Sequence, residues 1–515
     1  MKKLILLFLL IPSLVHAEVL WKRQDLFSNV GGLNNAFSSI SIADNEASDL
    51  QNVVLTTGGS IKTRDGFDNV NSSSVSTASG LKFYKPTSGS KFIVGVFEDD
   101  TIKKMDYATG GGPDGTYDDI TGALSFSVDQ DDLSSFAIGE DTLIIEDGLG
   151  TTAPYKWTGT GNAAALGGSP ANATMVAYHK LHAFSAGDSA NPSILYFSDQ
   201  GDIENWTTGL SGNVGVETND GTQIRNIEPG FDSLYIWKDF SIWRLSGDDK
   251  DNFKLQRMVE GIGCKSVNCA ALVGNDFIFF DSKGDMYIYD GGIKVRLISS
   301  RIEGTTSQAN FSRFDKVSSV EFQKDYYLSL SSVGSATNDI ILVFDTFHLA
   351  WLKFDGFNAN AMAVGEDSTG KETLFFMDYG GYTQQYPEGT NDDGTAIDTF
   401  YITKQFRFPQ LRINKTFQKV YAYVGQEGNY NLSVELRADL QSSGTTQSIN
   451  LSASTSAYGS AIYGTDTYGG QNLVTGILEF SEEGKFFQLN FSNENLDEPF
   501  DLKGWSQLVE GDEAI

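Results

Sequence analysis

The stretch Val267-Asn268-Cys269-Ala270-Ala271-Leu272-Val273-Gly274-Asn275-Asp276-Phe277-Ile278-Phe279-Phe280, continued at Met286-Tyr287-Ile288-Tyr289, decides the fold. An apolar run meets a turn of Gly, Asn and Asp, a second run follows that is denser in aromatic and β-branched residues, and a third carries Tyr at alternate positions. These are short strands joined by tight turns. Apolar residues never keep helical spacing for more than about two turns anywhere in the mature chain, so the chain reads as all-β.

The same pattern recurs outward in both directions at a period of roughly 40 to 50 residues, the length of a four-stranded blade. The other openings are Leu81–Lys85 with Phe92–Phe97, Ser134–Ile138 with Leu143–Ile145, Met175–Tyr178 with Leu181–Phe184, and Ile224–Ile227 with Leu234–Trp237. Val317–Phe322 with Tyr326–Leu330 and Ala361–Val364 with Leu374–Met377 complete the series. They predict a β-propeller of about seven blades over residues 78–387. Aromatic strands such as Met286–Tyr289, Tyr235 to Trp243 and Trp351–Phe354 are expected to close blades from outside and to pack between them.

The pattern changes after Tyr386. Residues 388–394 read as a solvated linker, and residues 398–508 as a β-sandwich-like domain whose runs Thr403–Phe408, Phe417–Val424, Asn431–Leu436, Ile477–Phe480 and Phe486–Phe491 alternate with one face buried. Gly444 to Gly470 is rich in Ser, Thr, Gly and Tyr, as expected of a long exposed loop or of a hairpin that orders against a partner. Residues 18–77 are expected to be an extended segment that completes the propeller or contacts neighbours. Residues 1–17 have the form of a signal peptide: Met1-Lys2-Lys3, an apolar core Leu4 to Val15 too short to span a bilayer, and Val15-His16-Ala17 before Glu18.

Acidic residues outnumber basic ones 67 to 37, for a formal charge of −30. Tight phosphate-backbone binding is excluded by that balance, because Lys and Arg must replace the counterions of a nucleic acid. A passage through which DNA slides without sticking stays compatible with it. Cys264 and Cys269, the only cysteines, either bridge across a turn or stay thiols, the latter being favoured; without nearby His they make no zinc site.

No residue is assigned a catalytic, cofactor-binding or metal-binding role. His179 and His182 are three apart and are expected on opposite strand faces. His348 has only Asp345 close in sequence, and no Gly-x-Ser-x-Gly elbow supports a hydrolase triad. The acidic groups Asp114–Asp119, Asp129–Asp132 and Asn391–Asp398 have loop spacings able to hold calcium, but none completes the twelve-residue loop with its closing Glu, so they read as solvated turns. Phe197–Trp206 is comparable with the Asp-box turn of sialidase propellers, with altered spacing.

One ordered string goes further: Gly31-Gly32-Leu33-Asn34, Ile42-Ala43-Asp44-Asn45-Glu46-Ala47-Ser48-Asp49-Leu50-Gln51-Asn52, and Gly58-Gly59-Ser60-Ile61-Lys62-Thr63-Arg64-Asp65-Gly66-Phe67. It resembles the opening of propeller proteins in the tails of double-stranded DNA phages, the tail nozzle and packaged-DNA stabilisation proteins of short-tailed phages. Tyr178–Phe184, Leu195–Ser198 with Trp206, and Ile242–Gly247 with Gly261–Cys264 look similar to the same group, so that the resemblance spans about residues 30 to 360. It implies a non-enzymatic virion protein without cofactor, one subunit of a homo-oligomeric, usually six-fold, ring below the portal. Its partners would be portal, adaptor or other tail proteins, with double-stranded DNA passing an acidic lumen without specific binding. The signal-like N-terminus departs from that pattern. It keeps open export to the periplasm or outside, with a carbohydrate-binding, adhesive or glycan-processing role for which the loop bearing Tyr458, Tyr463 and Tyr468 is the candidate.

Overall fold

A computed structural model describes residues 20–408, 414–452 and 473–511; the signal-like residues 1–17 and the Tyr458, Tyr463 and Tyr468 positions lie outside them. Among the described residues, seven antiparallel four-stranded sheets form the blades of a β-propeller, with two six-stranded sheets beside them. Blades 1 to 6 span 78–119, 135–165, 175–215, 224–260, 270–297 and 318–354. Blade 7 takes Ala359–Glu366, Glu372–Asp378 and Thr383–Tyr386 from its own stretch and its fourth strand, Asp68–Asn69, from the N-terminal segment. The two ends of the propeller are thereby stitched together.

Each of the seven openings read from the sequence coincides with the first two strands of a blade. Second strands are buried along their whole length in blades 1 to 4, as in Phe92–Phe97, Thr142–Glu146 and Ser233–Lys238, because both faces pack against neighbouring blades. The expectation for the outermost strands holds for Trp351–Phe354, in the fourth strand of blade 6, and needs correction elsewhere. Met286–Tyr289 is a third strand, and blade 5 is closed by Val295–Leu297; blade 2 ends on the two-residue Ala164–Ala165. In blades 2 and 5 the outer strands are short and largely exposed, so aromatics concentrate one strand further in.

The sandwich draws on both ends of the chain. One sheet contains Leu20–Leu26, Val53–Leu55, Ile61–Thr63, Lys415–Gly425, Leu473–Gly484 and Asp501–Gly511. The other contains Ala47–Gln51, Thr399–Thr403, Phe406–Arg407, Asn431–Ala438, Thr445–Asn450 and Phe486–Asn493. Residues 18–77 therefore do more than complete the propeller: they furnish four sandwich strands before reaching blade 7. Part of the expected 444–470 loop is strand as well, Thr445–Asn450 pairing with Asn431–Leu436. Leu432, Val434, Phe417, Val420, Phe487, Leu489 and Trp505 lie between the sheets, in a core continuous with blades 4 to 7.

Candidate functional site: the buried clamp and the propeller axis

The Gly31–Phe67 string forms the junction between the two bodies. Gly32, at φ +68, lies where a Cβ would be 2.7 Å from that of Ala350 in the outer strand of blade 6. Leu33 N–H then donates to the Trp351 carbonyl at 2.9 Å, and Ala47 N–H to the Gly32 carbonyl at 2.9 Å. Glu46 is buried and accepts from Asn34 Nδ2 (2.8 Å) and the Ala43 N–H (2.7 Å), with Arg301 at 3.3 Å.

Arg64 is the centre of this junction. Its side chain is fully buried; it donates through Nε to Asn52 Oδ1 (2.9 Å), through Nη2 to the Asp355 carbonyl (3.0 Å), and through both Nη atoms to the Asp392 carboxylate. The guanidinium also lies 4.7 Å from the Phe357 ring centroid. Burial pushes the Asp392 carboxyl above its ordinary value while Arg64 pulls it down. Paired charges of this kind, with their remaining hydrogen bonds made, are what a dry interior tolerates.

Asp392 belongs to the stretch expected to be a solvated linker. Instead, Glu388 N–H donates to the Gly66 carbonyl (2.8 Å), Gly66 N–H to Gly389 (3.1 Å) and Asp393 N–H to Phe67 (2.8 Å). A Cβ on Gly66 would sit 1.8 Å from the Asn391 carbonyl oxygen. The polar composition of this stretch serves a buried cation, so it is sewn down.

The propeller axis offers the contrasting site. The first strands of all seven blades line a cavity of 320 Å3, floored by small and polar residues such as Gly80, Ser134, Asn226 and Ser318. Three charged residues line it, Lys82 from blade 1, Glu228 from blade 4 and Glu321 from blade 6, with Lys82 and Glu228 as far apart around the ring as seven blades permit. No ion pair within 4 Å joins them or ties either to another described residue. Burial lowers Lys82, with Glu228 pulling it back, and burial raises the Glu228 carboxyl to about 7, with Lys82 opposing. Their sequence signal was weak: Lys82 is the one charge in its strand, between Leu81 and Phe83, but Glu228 shares its strand with Arg225 and Asn226. Arg64, Asp392, Lys82 and Glu228 were all missed as a set, because the partners are distant in the chain.

The histidines resolve differently from the sequence reading. His179 and His182 are register partners across the two-residue turn Lys180-Leu181, hence on one face of their sheet. The turn reverses the chain, so alternation along a single strand does not apply. His182 is buried with Nδ1 2.6 Å from the Ser198 carbonyl and Nε2 3.2 Å from that of Asp248, while burial, then Lys180, lowers His179. His348 Nδ1 lies 2.7 Å from Asp345 Oδ2, and no serine hydroxyl among the described residues bonds to its ring.

The acidic groups are spent on turns and partners. Asp131 takes both Nη atoms of Arg313 at 2.7 and 2.9 Å, Asp118 meets Lys104, and Asp392 meets Arg64. Asp199 accepts from the Leu210 N–H (2.7 Å) and Asn205 Nδ2 (3.0 Å), so the Asp-box-like turn is closed on itself. Cys264 and Cys269 form a buried disulfide with Cα atoms 6.3 Å apart, which corrects the thiol expectation. The loop between them folds back far enough to bring the two within bridging distance.

The fold and these sites define a seven-bladed β-propeller carrying a β-sandwich woven from both chain ends. Among solved structures, the chain is similar to BBS1N in complex with ARL6DN, soaked with lead, at 9% identity and TM-score 0.40, over 64% of this chain and 98% of that one. YCF48 bound to D1 peptide is similar at 11% identity and TM-score 0.40, over 63% and 97%. No family model and no curated protein matches the chain.

Proposed function

We propose that the chain is a structural subunit of a phage tail or neck ring, whose acidic inner wall guides and retains double-stranded DNA. The observation that carries this reading is the Gly31–Phe67 string. The residues that resemble the tail-propeller group are the ones that lock propeller to sandwich, and a load-transmitting ring needs subunits that do not hinge.

The DNA passage runs between copies, not through a propeller. A 320 Å3 axial cavity is the size of a small-ligand pocket and cannot admit a duplex whose major groove alone is about 12 Å wide. The propeller end formed by the turns between first and second and between third and fourth strands carries exposed Glu140, Asp141, Asp202, Asp251 and Asp290. Carboxylates at that end would repel phosphate and let a duplex slide. The Cys264–Cys269 disulfide favours an oxidising surrounding, compatible with a released virion surface or, with the signal-like N-terminus, with export.

Electron microscopy and mass photometry of residues 18–515, alone and with the cognate portal, test the reading. Closed rings with a central hole are expected. A chain that stays monomeric at high concentration in both samples would overturn it.

A further inference from the structure

The outward face of the second sandwich sheet carries a groove of 410 Å3 that the ring reading does not use. Strand alternation builds it. Tyr401, Val434, Leu489 and Phe491 turn into the core, which leaves their neighbours outward in two register rows. Phe400 pairs with Ser492 and Ser492 with Ser433; Ile402 pairs with Asn490 and Asn490 with Glu435.

The charged groups around this groove are largely closed on one another. Arg437 donates through Nε and Nη2 to Glu435 Oε2 at 2.9 and 2.7 Å, and Lys353 pairs with Asp49 at 3.0 Å beside the Phe400 ring. Two exposed carboxylates, Asp398 and Glu494, stand at its edge without an ion-pair partner among the described residues, and the other unpaired groups are neutral. The Ser433 and Ser492 hydroxyls have no hydrogen-bond partner among the described residues, and Asn490 Oδ1 is buried without one. Asn490 Nδ2 makes only a long bond to Glu435 Oε2, 3.4 Å; a buried acceptor left unpaired is costly, and a turn of this amide toward a bound hydroxyl would relieve it.

We propose that this groove binds a neutral saccharide, with one sugar face against the half-buried Phe400 ring and its hydroxyls paired with Ser433, Ser492 and Asn490. Sugar hydroxyls both donate and accept, as serine hydroxyls and asparagine amides require. The apolar C–H face of a sugar suits an aromatic ring. The volume lies in the ordinary ligand range of about 300–1,000 Å3. An apolar ligand would bury these polar groups unpaired. An anionic one would meet Asp398 and Glu494, which also line the groove. The proposal stands apart from the ring reading, and a ring subunit bearing this groove would contact a glycan-coated surface.

The test uses residues 18–515 on an array of neutral hexose and N-acetylhexosamine oligosaccharides, with acidic glycans alongside, followed by calorimetric titration of the strongest neutral hit. Wild type is expected to bind neutral glycans. Phe400→Ala and the groove-filling Ser492→Tyr should each weaken binding at least tenfold with melting temperature and particle mass unchanged. Silence on every neutral glycan, binding confined to acidic ones, or neutral binding untouched by both substitutions overturns the proposal. Particle mass, read separately, reports on the ring.

Discussion

The clamp at Arg64 and the axis at Lys82 and Glu228 each place opposite charges inside the molecule, and they are built in opposite ways. Arg64 meets Asp392 directly, with every remaining donor assigned and three Phe rings around it. Lys82 and Glu228 share a cavity without touching. Direct pairing offsets the cost of desolvation, whereas charges held apart shift their protonation equilibria instead. The difference teaches that the junction is the rigid part of this protein, and that the axis is a polar space tolerated within it.

The largest effect should come from breaking the clamp. Arg64→Leu strands Asp392 in a dry site and should cost about 3–5 kcal/mol. Proteolytic cleavage in 388–394 should accelerate with it. Chemical denaturation and timed proteolysis read both, and an unchanged melt with an intact linker would show that the two bodies are held by apolar packing alone.

Next is the axis, through pH. Glu228 has an ordinary value of 4.5 and sits at about 7 when folded. Between these values the folded protein holds a proton that the unfolded chain has released, so stability falls as pH rises across that window. At about 1.4 kcal/mol per unit the effect amounts to at most about 3.5 kcal/mol. Glu228→Gln should flatten the dependence, although Lys82 then loses its attraction. Urea unfolding at pH 5 and pH 8 measures it; identical pH slopes in both proteins would mean that the axial carboxyl is well solvated.

A covalent lock gives a third point on the scale. Replacing Cys264 and Cys269 by Ser should lower stability by about 2 kcal/mol for so short a loop, and reductant should move wild type toward the variant. A melting curve indifferent to reductant would argue against the bridge. The smallest effect is expected at Arg313–Asp131, which resembles the clamp in geometry but is only partly buried, with side-chain exposures of 13% and 31%. Arg313→Ala should cost about 1 kcal/mol or less. A loss equal to that at Arg64 would show that bidentate geometry, not burial, sets the strength.

The blades were legible because each repeats a local rule: an apolar run, a Gly or Asn turn, another apolar run. Phe277–Phe280 and Leu234–Trp237 announce themselves within a dozen residues. The sandwich was legible only in its C-terminal half, since Ala47–Gln51 and Ile61–Thr63 are too short and mixed to reveal which sheet they join. The 388–394 stretch misled for a related reason. Asp392 looks solvated until Arg64, more than three hundred residues earlier, is placed beside it. The His179–His182 pair misled because the direction of the chain reverses between them.

By itself the sequence determined the all-β class, the blade period and count, the change of pattern after Tyr386 and the acidic surface. Each is a property of neighbours in the chain or of summed composition. Only the tertiary structure decided that the N-terminal segment is shared between propeller and sandwich, that Arg64 and Asp392 lock them, that Lys82 and Glu228 face one axis, and that Phe400, Asn490, Ser492 and Ser433 lie side by side in one groove. Strand pairing joins residues at any separation, so these meetings are set by topology and packing, which no local pattern encodes.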